Sequence, residues 1–233
     1  MTESCNSVIL GSGEEESLNN MAIILPFSFP PSPQVIEQAV ACIQGGGVLA
    51  IPTDSFYALA VGVFQPAALK RLGAIKGERD HKPFPVLISD PSELDQVADD
   101  PSELAEKLIK QFWPGLLTLL LKAKPYMLPV LKGESGTIGV RQPDDSRVCE
   151  ILKQTGPLTG TSANRTGHPP AQSAEEVMQH LEAEIDLVLD GGRTPGGQPS
   201  TLLQVEPDFR IVRPGAISQQ AIKTVLGNGI LSD

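Results

Sequence analysis

Aromatic residues, histidines and cysteines are scarce in this chain of 233 residues. Aromatics make up only 4% of it, so the core must be largely aliphatic. The three cysteines, Cys5, Cys42 and Cys149, form no CxxC pair, and the three histidines form no HExxH pair. We therefore expect neither a disulfide framework nor a zinc site.

Long apolar runs and excess positive charge are also missing. The longest apolar stretch, residues 21–29, is interrupted by Pro26 and Ser28 and falls well short of the roughly 20 residues of a membrane helix. Nothing basic precedes it, so it does not resemble a signal peptide. The formal net charge of -10 argues against a general nucleic-acid coat, although it leaves room for a local basic cleft. We expect a cytoplasmic protein without a membrane segment.

The common nucleotide-binding and nucleophile motifs are absent from the sequence. The chain contains no GxxxxGK[ST], no GxGxxG after a predicted strand and no GxSxG. Any nucleotide must therefore be bound without a Walker or Rossmann loop.

Short apolar runs alternate with helical stretches over residues 30–227. This alternation predicts one α/β domain with a twisted, mixed β-sheet flanked by helices. The motif DPSEL occurs twice, and we expect Asp90 and Asp100 each to cap the start of a short helix. Residues 1–20 are acidic and lack apolar periodicity, so they are predicted to form a disordered tail that can be removed without loss of the fold.

Polar side chains gather at the ends of predicted strands. Ligands of open α/β sheets bind in crevices outside strand ends, and hydroxyl and guanidinium donors suit an anion. For any one of these residues alone, capping and turn chemistry is the commoner explanation. The set comprises Thr53, Asp54, Ser55, Arg141, Thr161, Ser162, Asn164, Ser200, Thr201 and Arg213.

The segment KGERDHKP, residues 76–83, carries Lys76, Arg79 and Lys82 with two acidic residues between them. A mixed charge run of this kind is usually a solvated surface. The spacing of Lys76 and Lys82 also allows two ammonium groups to lie around a polyphosphate.

Seven segments occur in the order IPTDSFYALA, AIKGERDHKPFPVLI, FWPGLLTLLL, TIGVRQP, GPLTGTSANRTG, PSTLL and IVRPGAIS. Together they resemble the YrdC-like family of threonylcarbamoyl-AMP synthases, and the resemblance covers residues 32–220. It implies a twisted mixed sheet with a large, concave, positively charged cavity. It also implies that L-threonine, bicarbonate and ATP react to give threonylcarbamoyl-AMP and pyrophosphate. Partner proteins then transfer the threonylcarbamoyl group to tRNA, and double-stranded RNA binding is also attributed to the family.

The functional positions of the family carry over residue by residue. Its KxR…SxN set implies catalytic roles for Lys76, Ser162 and Asn164. The resemblance implies threonine contacts at Ser55, Arg141, Gly160 and Ser200. It implies ATP contacts at Lys76, Arg79, Lys82, Thr137, Ser162, Asn164 and Arg213. Mg²⁺ would bridge the phosphates, so no dedicated metal site is expected.

Three positions depart from the family pattern: Ser55 replaces the usual Thr, Ala58 the usual Gly, and Glu78 the Arg of KxR. A glutamate that faced ATP would repel it. Because adjacent side chains of an extended loop point to opposite sides, we expect Arg79 to face the nucleotide and Glu78 to face away. Two alternatives stay open: a weakly catalytic or non-catalytic RNA- or ribosome-associated protein of the same fold, and a paralogue that adenylates another small acid.

Overall fold

A computed structural model of the chain describes residues 22–77, 82–133, 135–205 and 208–227. The described residues form eleven strands, six α-helices and two 3₁₀ helices, Pro91–Gln96 and Pro129–Leu131. In chain order the strands are β1 Ile23–Pro26, β2 Leu49–Ile51, β3 Ala58–Ala60, β4 Val86–Leu87, β5 Leu117–Lys122, β6 Thr137–Arg141, β7 Leu158–Thr159, β8 Thr161–Ser162, β9 Leu187–Asp190, β10 Thr201–Gln204 and β11 Arg210–Arg213. The α-helices are α1 Pro33–Gln44, α2 Pro66–Lys76, α3 Glu103–Phe112, α4 Ser146–Thr155, α5 Ala174–Leu181 and α6 Gln219–Leu226.

The first sheet has five strands in the order β1-β9-β2-β3-β8, with both parallel and antiparallel pairs. Successive side chains along its strands point to opposite faces of the sheet, and both faces are buried. One face, which includes Leu49, Ile51 and Leu189, packs against the apolar side of α1 and α4. The other face, which includes Ala50 and Val188, enters the larger core of the molecule. Both faces are thus apolar, as expected of a sheet covered on both sides.

The second sheet has six strands in the order β11-β10-β5-β6-β4-β7. Gly160 alone separates β7, the last strand of this sheet, from β8, the edge strand of the first sheet. The chain therefore passes from one sheet to the other within a single residue. This crossing ties the segment that begins at Thr161 to the edge of the six-stranded sheet.

The two faces of the six-stranded sheet differ in character. Leu119, Leu121 and Val140 lie in the larger core with residues of α3 and α6. The register pairs Leu120 with Gly139 and Lys122 with Thr137, so the opposite face of these strands also carries Thr118 and Arg141. The parallel pairing with β10 adds Leu202, and β11 adds Arg213. We call this side, defined by Thr118, Leu120, Thr137, Gly139, Arg141, Leu202 and Arg213, the open face, because Leu120, Thr137 and Leu202 are only half-buried.

The predicted α/β class is confirmed, but several details of the sequence-based prediction are wrong. The strands form two sheets rather than one. The sequence pattern predicts a single strand at residues 157–161, but this segment is divided between the two sheets at Gly160. Asp90 does cap a helix, since its side chain accepts a hydrogen bond from the Ser92 N–H. Asp100 does not: α3 is capped by Ser102, whose hydroxyl accepts from the Ala105 N–H. Helix α3 therefore begins at Glu103, two residues later than a cap at Asp100 would start it.

Within the described part of the chain, no helix combines the length and the hydropathy that crossing a bilayer requires. The tail predicted at residues 1–20 lies outside the described residues. The extent of the domain, residues 30–227, stays a prediction.

Candidate active site

Helix α2 places Lys76 on its buried side. Leu69, Leu72 and Lys76 follow one another at intervals of three and four residues, so they share one face of the helix. The two leucines enter the core, and Lys76 is carried inward with them to an exposure of 4%. Gly77, at a φ of 69°, ends the helix directly after it, in a backbone conformation that favours glycine. The helix thus delivers an ammonium group to a buried position.

The ammonium of Lys76 holds the segment that follows β8. Its Nζ donates to the backbone carbonyls of Ser162 at 2.7 Å and Asn164 at 2.5 Å, and to Asn164 Oδ1 at 2.9 Å. These three acceptors match the three N–H donors of an ammonium group. Ser162 Oγ also donates to Asn164 Oδ1, and Asn164 Nδ2 donates to the carbonyl of His168. The structure therefore brings together the three residues predicted to be catalytic, and we call Lys76, Ser162 and Asn164 the lysine cluster.

Arg141 ends β6 on the open face and has an exposure of 6%. Its Nη1 donates to Asp54 Oδ1 at 2.6 Å and to the carbonyl of Gly115 at 3.3 Å. Asp54 follows β2, so this ion pair joins the five-stranded sheet to the six-stranded one. The other carboxylate oxygen, Asp54 Oδ2, is buried and has no hydrogen-bond partner among the residues that the structure describes.

Ser200 and Arg213 lie beside Arg141. Arg213 Nη2 donates to the Ser200 carbonyl at 2.8 Å and is 3.3 Å from its Oγ, while Ser200 Oγ lies 2.8 Å from Thr118 Oγ1. Arg213 and Arg141 lie on the same open face, and desolvation together with the positive charge of Arg141 lowers the pKa of Arg213. We call Asp54, Arg141, Ser200 and Arg213 the arginine cluster. Its two cations and one carboxylate leave a net positive charge, which suits an anionic ligand.

Ser55 and Gly160 were predicted to contact threonine. Ser55 is buried next to Asp54, with its Oγ 3.3 Å from Thr53 Oγ1. Gly160 donates its N–H to the carbonyl of Pro85, and a Cβ at this position would lie 2.5 Å from Leu87 Cγ. Close packing between the sheets thus requires glycine here, whatever contact its backbone makes with a ligand.

The residues predicted for ATP are more widely spread. Thr137 lies at the opposite end of β6 from Arg141, four residues or about 13 Å away, and its hydroxyl is 2.9 Å from Ser135 Oγ. Lys82 is exposed, and Arg79 and Glu78 lie outside the described residues. The proposed orientation of Arg79 toward the nucleotide stays a prediction.

The lysine cluster lies at the edge of the open face. Gly160 is hydrogen-bonded to Pro85 of the strand next to β6, so it is two strand spacings, or about 10 Å, from Gly139. Ser162 is only two residues beyond Gly160. The sheet crossing therefore positions the lysine cluster beside the strand that carries Arg141.

A cavity of about 570 Å³ adjoins the arginine cluster. Asp54 and Gly115, which both bind Arg141, contribute to its lining together with Thr53, Arg147 and Arg193. Of the described residues, none that was assigned to substrate or catalysis lines this cavity. Asp144 and Asp145 also line it, so its charge is mixed, and the large basic cavity implied by the resemblance stays a prediction. In the described ranges, no group of three or more His, Cys, Asp or Glu side chains is arranged to hold a metal ion.

Three contacts of this site were not predicted from the sequence. Asp54 was noted only as one of several polar residues after a strand, and neither Thr118 nor the Gly115 carbonyl was singled out. The position of Asp54 between Thr53 and Ser55 was the available signal. Its partner is 87 residues away, and local sequence cannot reveal such a contact.

The fold and the two clusters define a mixed α/β protein with a site built from hydroxyl, amide, ammonium and guanidinium groups. The model of the Sua5/YciO/YrdC family, described as telomere recombination, matches residues 41–215. The chain belongs to this family, as its seven sequence segments predicted.

Two curated relatives share the name threonylcarbamoyl-AMP synthase. The protein of Bacillus subtilis is 35% identical over 195 residues, which cover 82% of this chain and 56% of that protein. The protein of Photobacterium profundum is 30% identical over 183 residues, which cover 77% of this chain and 98% of that protein. The chain thus spans little more than half of the first relative and nearly all of the second.

Two solved structures have similar folds. The crystal structure of Pyrococcus abyssi Sua5 complexed with L-threonine has a TM-score of 0.85 and 30% identity, covering 91% of this chain and 63% of that one. The crystal structure of Escherichia coli YciO has a TM-score of 0.79 and 29% identity, covering 87% of this chain and 100% of that one. These similarities confirm the α/β fold that the resemblance implied.

Proposed function

We propose that this protein is an L-threonylcarbamoyladenylate synthase, which forms threonylcarbamoyl-AMP and pyrophosphate from L-threonine, bicarbonate and ATP. The observation that carries the proposal is the placement of the arginine cluster and the lysine cluster along one sheet face. The names of the relatives and the threonine complex of Sua5 support the same reading. ATP would enter as its magnesium complex, because Mg²⁺ commonly keeps waters and takes substrate phosphates as ligands.

The proposed chemistry has two bond-forming steps. The amino nitrogen of threonine attacks the carbon of bicarbonate, and water leaves to give a carbamate. A carbamate oxygen then attacks the α-phosphorus of ATP, and pyrophosphate leaves. Threonine carboxylate, bicarbonate and triphosphate are all anionic and repel one another. The protein must therefore mainly position these groups and neutralise their charge.

Threonine is assigned to the arginine cluster. Arg141 uses Nη1 for Asp54 and Gly115, so its Nη2 and Nε are the nitrogens that can take the threonine carboxylate as a bidentate pair. The hydroxyls of Ser55, which follows Asp54, and of Ser200, which contacts Arg213, would serve as directional donors and acceptors. The contact proposed for Gly160 would use its carbonyl, since its N–H already donates to Pro85.

We assign ATP to the edge of the open face that is next to the lysine cluster. Lys76 donates hydrogen bonds to the Ser162–Asn164 segment, and we assign it the task of holding that segment while its charge acts on nearby phosphates. The further ATP contacts that we propose come from several segments of the chain. They are Arg79, Lys82, Thr137, Ser162, Asn164 and Arg213.

The product of this reaction is a mixed anhydride of a carbamic acid and a phosphate. Such an acyl donor needs an acceptor, and we propose that a transferase passes the threonylcarbamoyl group to tRNA in the cytoplasm. Binding of double-stranded RNA without catalysis is the alternative function. A synthase forms the adenylate from ATP, whereas a protein that only binds RNA does not.

The test is a pyrophosphate-release assay with purified protein, ATP, Mg²⁺ and bicarbonate. We expect release that depends on L-threonine, with threonylcarbamoyl-AMP as the second product. Release of pyrophosphate with serine but not threonine would indicate a paralogue for another acid. Absence of release with threonine, from a protein that binds double-stranded RNA, would favour the alternative.

A further inference from the structure

A buried ion pair connects the two sheets at the arginine cluster. Asp54 belongs to the loop after β2, and Arg141 to the end of β6. The side chains are 12% and 7% exposed, and Asp54 Oδ1 lies 2.6 Å from Arg141 Nη1. A pair so well shielded from water loses much more when one partner is removed than an exposed pair does.

The ion pair between Asp54 and Arg141 determines which edge of the Arg141 guanidinium group is available to bind a ligand. Nη1 carries two hydrogens, and the contacts to Asp54 Oδ1 and the Gly115 carbonyl use both. Nη2 and Nε make no hydrogen bond to any residue that the structure describes. Because the guanidinium group is planar, anchoring Nη1 on two acceptors also sets the direction of the Nη2–Nε edge. That edge has the fork geometry that a carboxylate matches.

Asp54 also balances charge within the arginine cluster. The guanidinium of Arg213 is close enough to Arg141 for their repulsion to lower the pKa of Arg213. Without the carboxylate, the buried charge of Arg141 would lose its ion-pair partner while a second cation, the exposed Arg213, stayed near it. Asp54 Oδ2 is buried with no partner in the described part of the chain. Among the described residues, Arg141 is therefore the side chain that forms a hydrogen bond with the Asp54 carboxylate.

We propose that Asp54 is a positioning residue for substrate recognition. It acts through Arg141, whose Nη2–Nε edge it aims at the carboxylate of the amino-acid substrate. This inference rests on the proposed function, in which Arg141 binds that carboxylate.

The experiment compares two ligands that differ in the carboxylate. L-Threonine carries it, and L-threoninol replaces it with a hydroxymethyl group. Their affinities are measured by calorimetry for wild type, Asp54→Ala, Asp54→Asn, Arg141→Ala and the double variant Asp54→Ala/Arg141→Ala. ATP affinity is measured in parallel. Asp95→Ala, which removes an exposed carboxylate, is the matched control.

We expect Asp54→Ala to weaken threonine binding by about 10- to 100-fold, because a misaimed guanidinium loses its bidentate geometry. Asp54→Asn keeps an oxygen acceptor but loses the charge, and it should weaken threonine binding by about 3- to 10-fold. Affinities for threoninol and ATP should stay within about twofold of wild type, and the double variant should bind threonine no more weakly than Arg141→Ala, as expected of coupled residues. Asp95→Ala should behave as wild type.

Several results would overturn the proposal. Equal weakening of threonine and threoninol would show that Asp54 acts on another part of the ligand or on the fold. Additive losses in the double variant would show that it does not act through Arg141. If Asp54→Ala fails to fold, unchanged threonine affinity in folded Asp54→Asn would also refute it. A wild-type protein that binds neither threonine nor threoninol would instead refute the proposed function.

Discussion

Replacing Lys76 with methionine tests how the lysine cluster is held. Methionine has nearly the same length as lysine, so Lys76→Met keeps the packing of the stem and removes only the ammonium group. Three acceptors then lose a donor: the carbonyls of Ser162 and Asn164 and the Oδ1 of Asn164. The helix itself should persist, because methionine is a good helix former.

The magnitude follows from the burial of these groups. The Asn164 carbonyl is left without a donor, which costs about 1–3 kcal/mol. The Ser162 carbonyl and Asn164 Oδ1 lose one donor each but keep those of the Asn164 N–H and Ser162 Oγ, so they add a smaller loss. The losses are not additive, because water can reach a half-buried Ser162 and the methyl group gains some apolar contact. We therefore expect a loss of about 3 kcal/mol in the free energy of unfolding, which corresponds to a fall of about 6–12 °C in Tm for a domain of this size.

Urea unfolding and calorimetry measure this loss, and ATP affinity reports the effect on the site. Lys70→Met is the matched control, since Lys70 is exposed on the same helix and should change the free energy of unfolding by less than about 0.5 kcal/mol. We also expect weaker ATP binding in Lys76→Met, because the Ser162–Asn164 segment loses its anchor. If Lys76→Met were as stable as wild type and bound ATP normally, the role assigned to the lysine cluster would be wrong.

Three further predictions concern the packing at Gly160, the roles of Glu78 and Arg79, and the dependence of stability on pH. Gly160→Ala should lower the free energy of unfolding by about 1–3 kcal/mol, because the new Cβ overlaps a neighbouring leucine; Gly73→Ala, in open space on a helix, should be neutral or stabilising in the same urea titration. Arg79→Ala should weaken ATP binding, and Glu78→Arg should leave adenylate formation equal or raise it, in calorimetry and pyrophosphate assays. Burial raises the pKa of Tyr57 from 10.0 to about 12, so the folded state holds this proton more tightly and stability should fall as pH rises from 10 toward 12. Tyr57→Phe should flatten part of that alkaline fall.

Each of these predictions has a contradicting result. An alanine at position 160 that costs no stability would show that the two sheets can separate locally. If Glu78→Ala abolished adenylate formation while Arg79→Ala left it unchanged, Glu78 would have a catalytic or metal-linked role and the orientation predicted for Arg79 would be wrong. An alkaline stability profile that is identical in wild type and Tyr57→Phe would show that Tyr57 does not titrate differently in the folded state.

Local sequence predicted those elements whose pattern is strong. Alternating polar and apolar residues predict a strand at 137–141, helical spacing predicts a helix at 174–181, and the structure has both elements with these bounds. Strand β3 was missed because its residues, Ala58–Ala60, include small side chains with low strand propensity. Strand β1 was missed because its parallel partner, β9, is far away in the chain. The division into two sheets is likewise a nonlocal property.

The candidate site was predictable to the extent that it lies in short motifs. The Lys76, Ser162 and Asn164 set came from the family resemblance, and the structure shows these residues in contact. The pairing of Asp54 with Arg141 depends on how two sheets meet, so no local pattern signals it. The same is true of Thr118, whose hydroxyl reaches Ser200 across neighbouring strands.

In the proposed reaction, the carbon of bicarbonate is joined to threonine and the resulting carbamate is activated with ATP. The most direct test supplies ¹³C-labelled bicarbonate with L-threonine, ATP and Mg²⁺ and analyses the nucleotide product by mass spectrometry. We predict a threonylcarbamoyl-AMP peak that carries the ¹³C label and disappears when threonine is omitted. Adenylate that contains threonine but no label, or no adenylate from folded protein that binds both substrates, would contradict it.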